Sequence, residues 1–214
     1  MFNATILAFT TDLSSLFDPH PAAARAVPDG VDLTAPRLAA FNEALCEAAP
    51  NAGRIAAEEI ARAARSVLAQ ARDGAHPFVR ERMALVPEVL AMMADEDWCL
   101  AERPRRQVRA LGDYVRKPDD LIHDGVPLIG LLDDAILVDR CVADLQHELA
   151  DWRDFRAFRA EWAAAQGVDP ANCHPSRLEW LAARKHAATQ ARRAGERHRA
   201  GYARGTEPAR FRIG

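Results

Sequence analysis

The chain has 214 residues, 49% of them hydrophobic and 28% charged, with a formal net charge of −3 at pH 7. This is enough apolar material to bury a real core in one domain with an appended arm, which sets aside a disordered chain and a small disulfide-stapled scaffold. The longest clean apolar run, Val126–Leu132, falls far short of the ~20 residues that cross a bilayer, and the negative overall charge argues against a general nucleic-acid role.

Forty-four alanines, and arginine at 26 of the 28 basic positions, favour helix, while the β-branched and aromatic residues that favour strands are sparse. The fold expected is all-α: a bundle of about six to seven helices around a central helical hairpin, with a basic C-terminal helix. Residues 1–36 are rich in Pro, Asp, Ser and Thr and are expected to be loosely structured. Residues 37–176 form the helical domain, and residues 177–214 a basic helix and tail. The start MFNATILAFTTDL has neither a basic leader region nor a long apolar segment, so the expected compartment is the cytoplasm. Cys46, Cys99, Cys141 and Cys173 lie far apart without a CxxC pair, and reduced, mostly buried thiols are expected.

Thr34 and Pro36 mark a helix start, and Leu38, Phe41 and Leu45 give an amphipathic helix over 37–49 that Pro50 stops. A second helix is expected over 52–72, with Ile55, Ile60, Ala63, Val67 and Ala71 on one face and Asp73-Gly74 at its end. Pro77 and Pro87 cut the next stretch into two short pieces. Pro104 opens a helix whose stripe is Val108, Leu111 and Val115. A long helix starts at Asp133 and carries Val138, Val142, Leu145, Leu149, Trp152, Phe155 and Trp162 to a stop at Gly167. The stripe reads as core or a partner-helix surface. Ser176 and Glu179 match a capping box that opens the last helix. From 177 onward there are ten basic and three acidic side chains, whereas the first 176 residues hold 18 basic and 28 acidic.

The stretch DYVRKPDDLIHDGVPLIGLLDDAILV, residues 113–138, sets Asp120, Asp124, Asp133 and Asp134 around a loop with Pro118, Gly125, Pro127 and Gly130. Each of these carboxylates lies where it could accept N–H bonds at a helix start, so capping is the expected role. Gly125 allows unusual dihedrals and Gly130 a close backbone approach. The pattern resembles the signature of the YkvA-like family, a bacterial domain of unknown function, over roughly residues 86–142. The matching positions are Tyr114, Pro118, Asp120, Leu121, Ile122, Asp124, Pro127, Gly130, Asp133 and Asp134. This chain departs from the family at His123, where proline is usual, and at Gly125, where a large apolar residue is usual. The resemblance implies a small helical hairpin domain and no particular activity.

Three functional readings follow. The first is a non-enzymatic protein-interaction module, an adaptor or an immunity-type inhibitor, acting on a protein partner or as a homo-oligomer, with no catalytic residues and no cofactor. The second is a metal-dependent enzyme in which Asp120, Asp124, Asp133 and Asp134 hold a divalent cation that activates water. The third is contact with nucleic acid or an anionic membrane through the Arg-rich tail; the low aromatic content there, Tyr202 and Phe211, argues against base stacking. His123 is a candidate general base but reads as an ordinary loop residue. Cys173-His174 lacks a second metal-ligand pair at zinc spacing.

Overall fold

The computed structural model describes residues 27–70, 74–117 and 120–203 together with Leu13 and Leu16, with side chains up to residue 196. Every named element in these residues is helical: α1 (Ala35–Ala48), α2 (Ala57–Gln70), α3 (Pro77–Met83), α4 (Val86–Ala94), α5 (Glu102–Val115), α6 (Leu132–Gln166), a 3-10 turn (Pro170–Asn172) and α7 (Arg177–Ala203). The all-α expectation holds. The chain divides into two compact units, Met1–Asp154 and Phe155–Gly214.

In the first unit, α1 packs on α5 and α4 on α5. The periodicity did its work here: Phe41, Leu45, Ile60, Val67, Val108 and Leu111 are all buried. Thr34 occupies the N-cap position of α1 without a side-chain cap bond; its own N–H donates instead to Asp32 Oδ1 at 2.9 Å. α2 begins at Ala57 rather than at residue 52, for a local reason. Buried Asn42 of α1 accepts from Ile55 N–H at 2.8 Å and donates to Ile55 C=O at 3.0 Å. That pairing holds Ile55 extended, and the helix starts only where Glu59 accepts from Ala56 N–H at 2.8 Å. The expected end at residues 72 and 73 lies outside the described residues; Gly74 has φ +86°.

The opening segment is tied down where it is described. Val31 forms an antiparallel bridge with Ile122, Asp32 N–H donates to Leu121 C=O at 3.0 Å, and Arg37 donates to the backbone carbonyl of Asp120 at 2.9 Å. Leu13 and Leu16 are buried. Two side-chain contacts tie α6 to the segments before it. Asp95 accepts from Trp152 Nε1 at 2.9 Å, and Arg82, itself 1% exposed, donates from Nε to Asp139 at 3.0 Å. The N-terminal turns of α6 are enclosed on every side, since residues 132–138 are all buried.

In the second unit Gly167, at φ +67°, ends α6, and the predicted capping box opens α7: Ser176 N–H donates to Glu179 Oε2 at 2.7 Å and Glu179 N–H to Ser176 Oγ at 3.3 Å. Phe155 and Trp180 are buried and meet edge to face at 6.3 Å, whereas Trp162 is only half-buried against Phe158. The cysteines split evenly: Cys141 and Cys173 are buried, but Cys46 and Cys99 are exposed, and all four are free thiols. Among the described residues no helix is long and apolar enough to cross a membrane.

Candidate functional site

The motif loop runs from the end of α5 to the start of α6, and Ile129, Leu132, Ile136, Leu121 and Ile122 bury its apolar positions. Gly130 is required sterically. A Cβ there would lie 2.2 Å from the Asp124 carbonyl oxygen and 2.8 Å from that of Val126. Gly130 thus permits the close approach expected of it. Gly125 does not take the unusual dihedrals expected; the strained backbone is at Leu128, with φ +72°. Pro127 and Asp124 are exposed, as is His123, whose Nδ1 accepts from Gly125 N–H at 2.9 Å. Pro118 lies outside the described residues.

The capping role expected of Asp133 and Asp134 does not hold. Asp133 and Asp134 are fully buried, at 0% exposure, because the first turns of α6 face protein all round rather than solvent. Asp133 Oδ2 accepts from the Tyr114 hydroxyl at 2.9 Å and from Ile122 N–H at 3.2 Å, so it joins α5 and the motif loop to α6 instead of capping α6. Its Oδ1, both carboxylate oxygens of Asp134 and both of Asp120 are sealed from solvent with no protein donor. Tyr114 is itself held edge to face against Phe41 at 5.7 Å.

A buried acceptor without a donor is costly, and a buried charge more so. The group responds by keeping its protons. Burial pushes the Asp134 carboxyl up to about 7, and the nearby charges of Asp120 and Asp124 push it the same way. Burial raises Asp133 well above the usual carboxylate range, reinforced by Asp120 and Asp134 and opposed by the Tyr114 hydroxyl and Ile122 N–H. Asp120 is raised too, chiefly by burial and also by Asp124, with some relief from its own backbone N–H, from Asp133 and from Arg37. The hydrogen bond between the Asp120 and Asp133 side chains exists only when one of the two carboxyls carries a proton. Burial likewise pushes the Tyr114 hydroxyl far up, keeping it a donor.

The structure therefore brings together Tyr114, Asp120, Asp133 and Asp134 and leaves Asp124 at the surface. An all-oxygen set suits a hard cation in its chemistry. Its geometry does not fit: among the described residues no three His, Cys, Asp or Glu side chains are grouped to hold one metal ion. As arranged, the cluster is built around protons. Comparison with known protein families, with curated proteins and with solved structures finds no match.

Proposed function

We propose that this chain is a YkvA-like protein of the bacterial cytoplasm that works as a protein-interaction module, an adaptor or an immunity-type inhibitor, with α7 as its partner-binding element. One observation carries this reading. α7 is 27 residues long, yet Trp180 is the one buried side chain among its described residues. Helices in proteins owe most of their stability to an apolar face packed on something else. Only Trp180, with half-buried Ala183 and Ala187, forms an inward stripe, and two leucines on another side are turned outward, Leu178 at 76% and Leu181 at 45% exposure, three residues apart. Arg177, Arg184 and Lys185 flank the two leucines, and ten basic against three acidic side chains follow from 177 to the end. The fitting partner is a protein surface with an apolar groove and an acidic rim, which the charge of the helix would steer into register.

The test is co-purification of the full chain beside a Leu178→Glu/Leu181→Glu variant. A stoichiometric complex with an acidic protein that is lost in the variant, while the melting temperature is unchanged, supports the reading. A complex that survives in the variant, or a wild type that is monomeric and partner-free, removes it. Binding to anionic vesicles or DNA in place of protein would transfer the role of the basic helix to a membrane or nucleic acid.

The buried carboxylates favour a second reading, an acid-dependent enzyme or cation site built on Asp120, Asp124, Asp133 and Asp134. Their donor-less oxygens support it; their grouping, with Asp124 at the surface, does not. Stabilisation of the wild type by Mg²⁺, Mn²⁺ or Ca²⁺ at pH 8, absent in Asp134→Asn, would promote it over the interaction reading.

A further inference from the structure

Beside the end of α1 and along one face of α5 lies a cavity of about 520 Å³, away from the motif loop. Cys46 and Glu47 of α1 line it, with Pro50 beyond the helix end, and Arg103, Arg106 and Arg109 line it from α5. Steps of three residues put these arginines about 4.5 Å apart along the axis, so the outer two are separated by about 9 Å.

Like charges three residues apart on a helix repel, and an arginine row is ordinarily relieved by carboxylates. Four other arginines of this unit are relieved in that way: Arg37 meets Asp32, Arg82 meets Asp139, Arg116 meets Asp113 and Arg153 meets Glu88, whereas Arg54 and Arg80 stand singly at the surface. In the cavity only Arg106 is relieved, by an exposed contact to Glu102 at 3.6 Å. Arg103 and Arg109 have no ion-pair partner among the described residues, although the first 176 residues carry an acidic excess. With Glu47 counted, the lining holds a surplus of two positive charges.

We propose that this cavity binds a small molecule carrying two linked phosphate groups, the chemistry of a diphosphate. Guanidinium forks match phosphate oxygens in pairs. A diphosphate can set one phosphate toward each end of the row, and it brings the negative charge the lining lacks. Arg103 stands in the first turn of α5, where the helix dipole adds to the attraction for an anion. The volume falls within the ~300–1,000 Å³ of small-molecule sites, leaving room for a group attached to the diphosphate.

The experiment is calorimetric titration of the full chain with inorganic pyrophosphate and, separately, with a nucleoside diphosphate, together with the rate of Cys46 alkylation. Cys99, also exposed, is the internal control. The proposal expects saturable 1:1 binding and slowed alkylation of Cys46 but not Cys99. Arg103→Gln/Arg109→Gln should weaken binding by about tenfold or more, the loss of charge-assisted hydrogen bonds. Arg192→Gln/Arg193→Gln on α7 should leave it unchanged. Tighter binding of the nucleoside diphosphate would assign the source as a nucleotide, and equal binding the diphosphate alone. Failure of both probes to saturate, an equal effect of the α7 pair, or an unprotected Cys46 would overturn the proposal.

Discussion

Replacing Asp134 with asparagine should make the protein more stable at pH 8, by an amount the structure lets one work out. Asp134 is buried without a donor, and its carboxyl is pushed from 3.8 up to about 7. The folded state therefore binds the proton more tightly than the unfolded chain. Between the two values the folded state holds more protons, so stability falls as pH rises, and it is flat below the first and above the second. One pH unit corresponds to about 1.4 kcal/mol, so from pH 5 to pH 8 this group alone should cost about 2.7 kcal/mol, most of it by pH 7. Asp133 and Asp120 are raised as well and act in the same direction. For a chain of this size that is a fall of roughly 5–11 °C in melting temperature. Asp134→Asn removes the titration and brings an amide donor into a group of acceptors, so its fall over the same range should be smaller by about 2–3 kcal/mol. The assay is urea unfolding of both proteins at pH 5, 6, 7 and 8. A wild type as stable at pH 8 as at pH 5, or a variant with the same pH slope, would refute the reasoning.

Tyr114→Phe removes the 2.9 Å hydroxyl bond to Asp133 and should destabilise by about 1–3 kcal/mol, more at pH 8 than at pH 5, as read by the same unfolding curves. Gly130→Ala places a methyl 2.2 Å from the Asp124 carbonyl oxygen, and the forced backbone shift should cost about 1–3 kcal/mol in thermal melting. Trp180→Ala strips the edge-to-face contact with Phe155 and the ring under Arg184; it should cost about 3–5 kcal/mol in the second unit, with hydrogen-exchange protection lost over 177–196 and retained over 35–115.

The helices were legible because their signals are local. Pro77 and Pro87 set the starts of two short helices, Gly167 closed α6, and Ser176 with Glu179 opened α7 as their spacing required. The start of α2 was misplaced because Ile55 is held by Asn42, a long-range bond with no periodic trace. The identity of the motif residues was readable, but the role of its acids was not. A buried helix start still needs partners for its N–H groups, but Asp133 accepts instead from Tyr114 and Ile122, and Asp134 from no protein donor. One signal was present: Asp133 and Asp134 interrupt the apolar run VPLIGLLDDAILV, which leaves a helix no polar face to turn outward. The paired tyrosine was beyond reach, since contact between Tyr114 and Asp133 depends on how α5 meets α6. The arginine cavity was equally hidden, because nothing in the spacing of Arg103, Arg106 and Arg109 places α1 beside them.

The claim at the centre of this account is that the outward face of α7 engages a protein. Its most direct measurement is size-exclusion chromatography with light scattering on the full chain purified from its native cells, wild type against Leu178→Glu/Leu181→Glu. The account predicts a wild-type mass above that of one 23.5 kDa chain, owing to an acidic protein bound one to one, and a variant that elutes as the bare chain with helix content and melting unchanged. A wild type at the mass of the single chain, or a complex indifferent to both leucines, would contradict it.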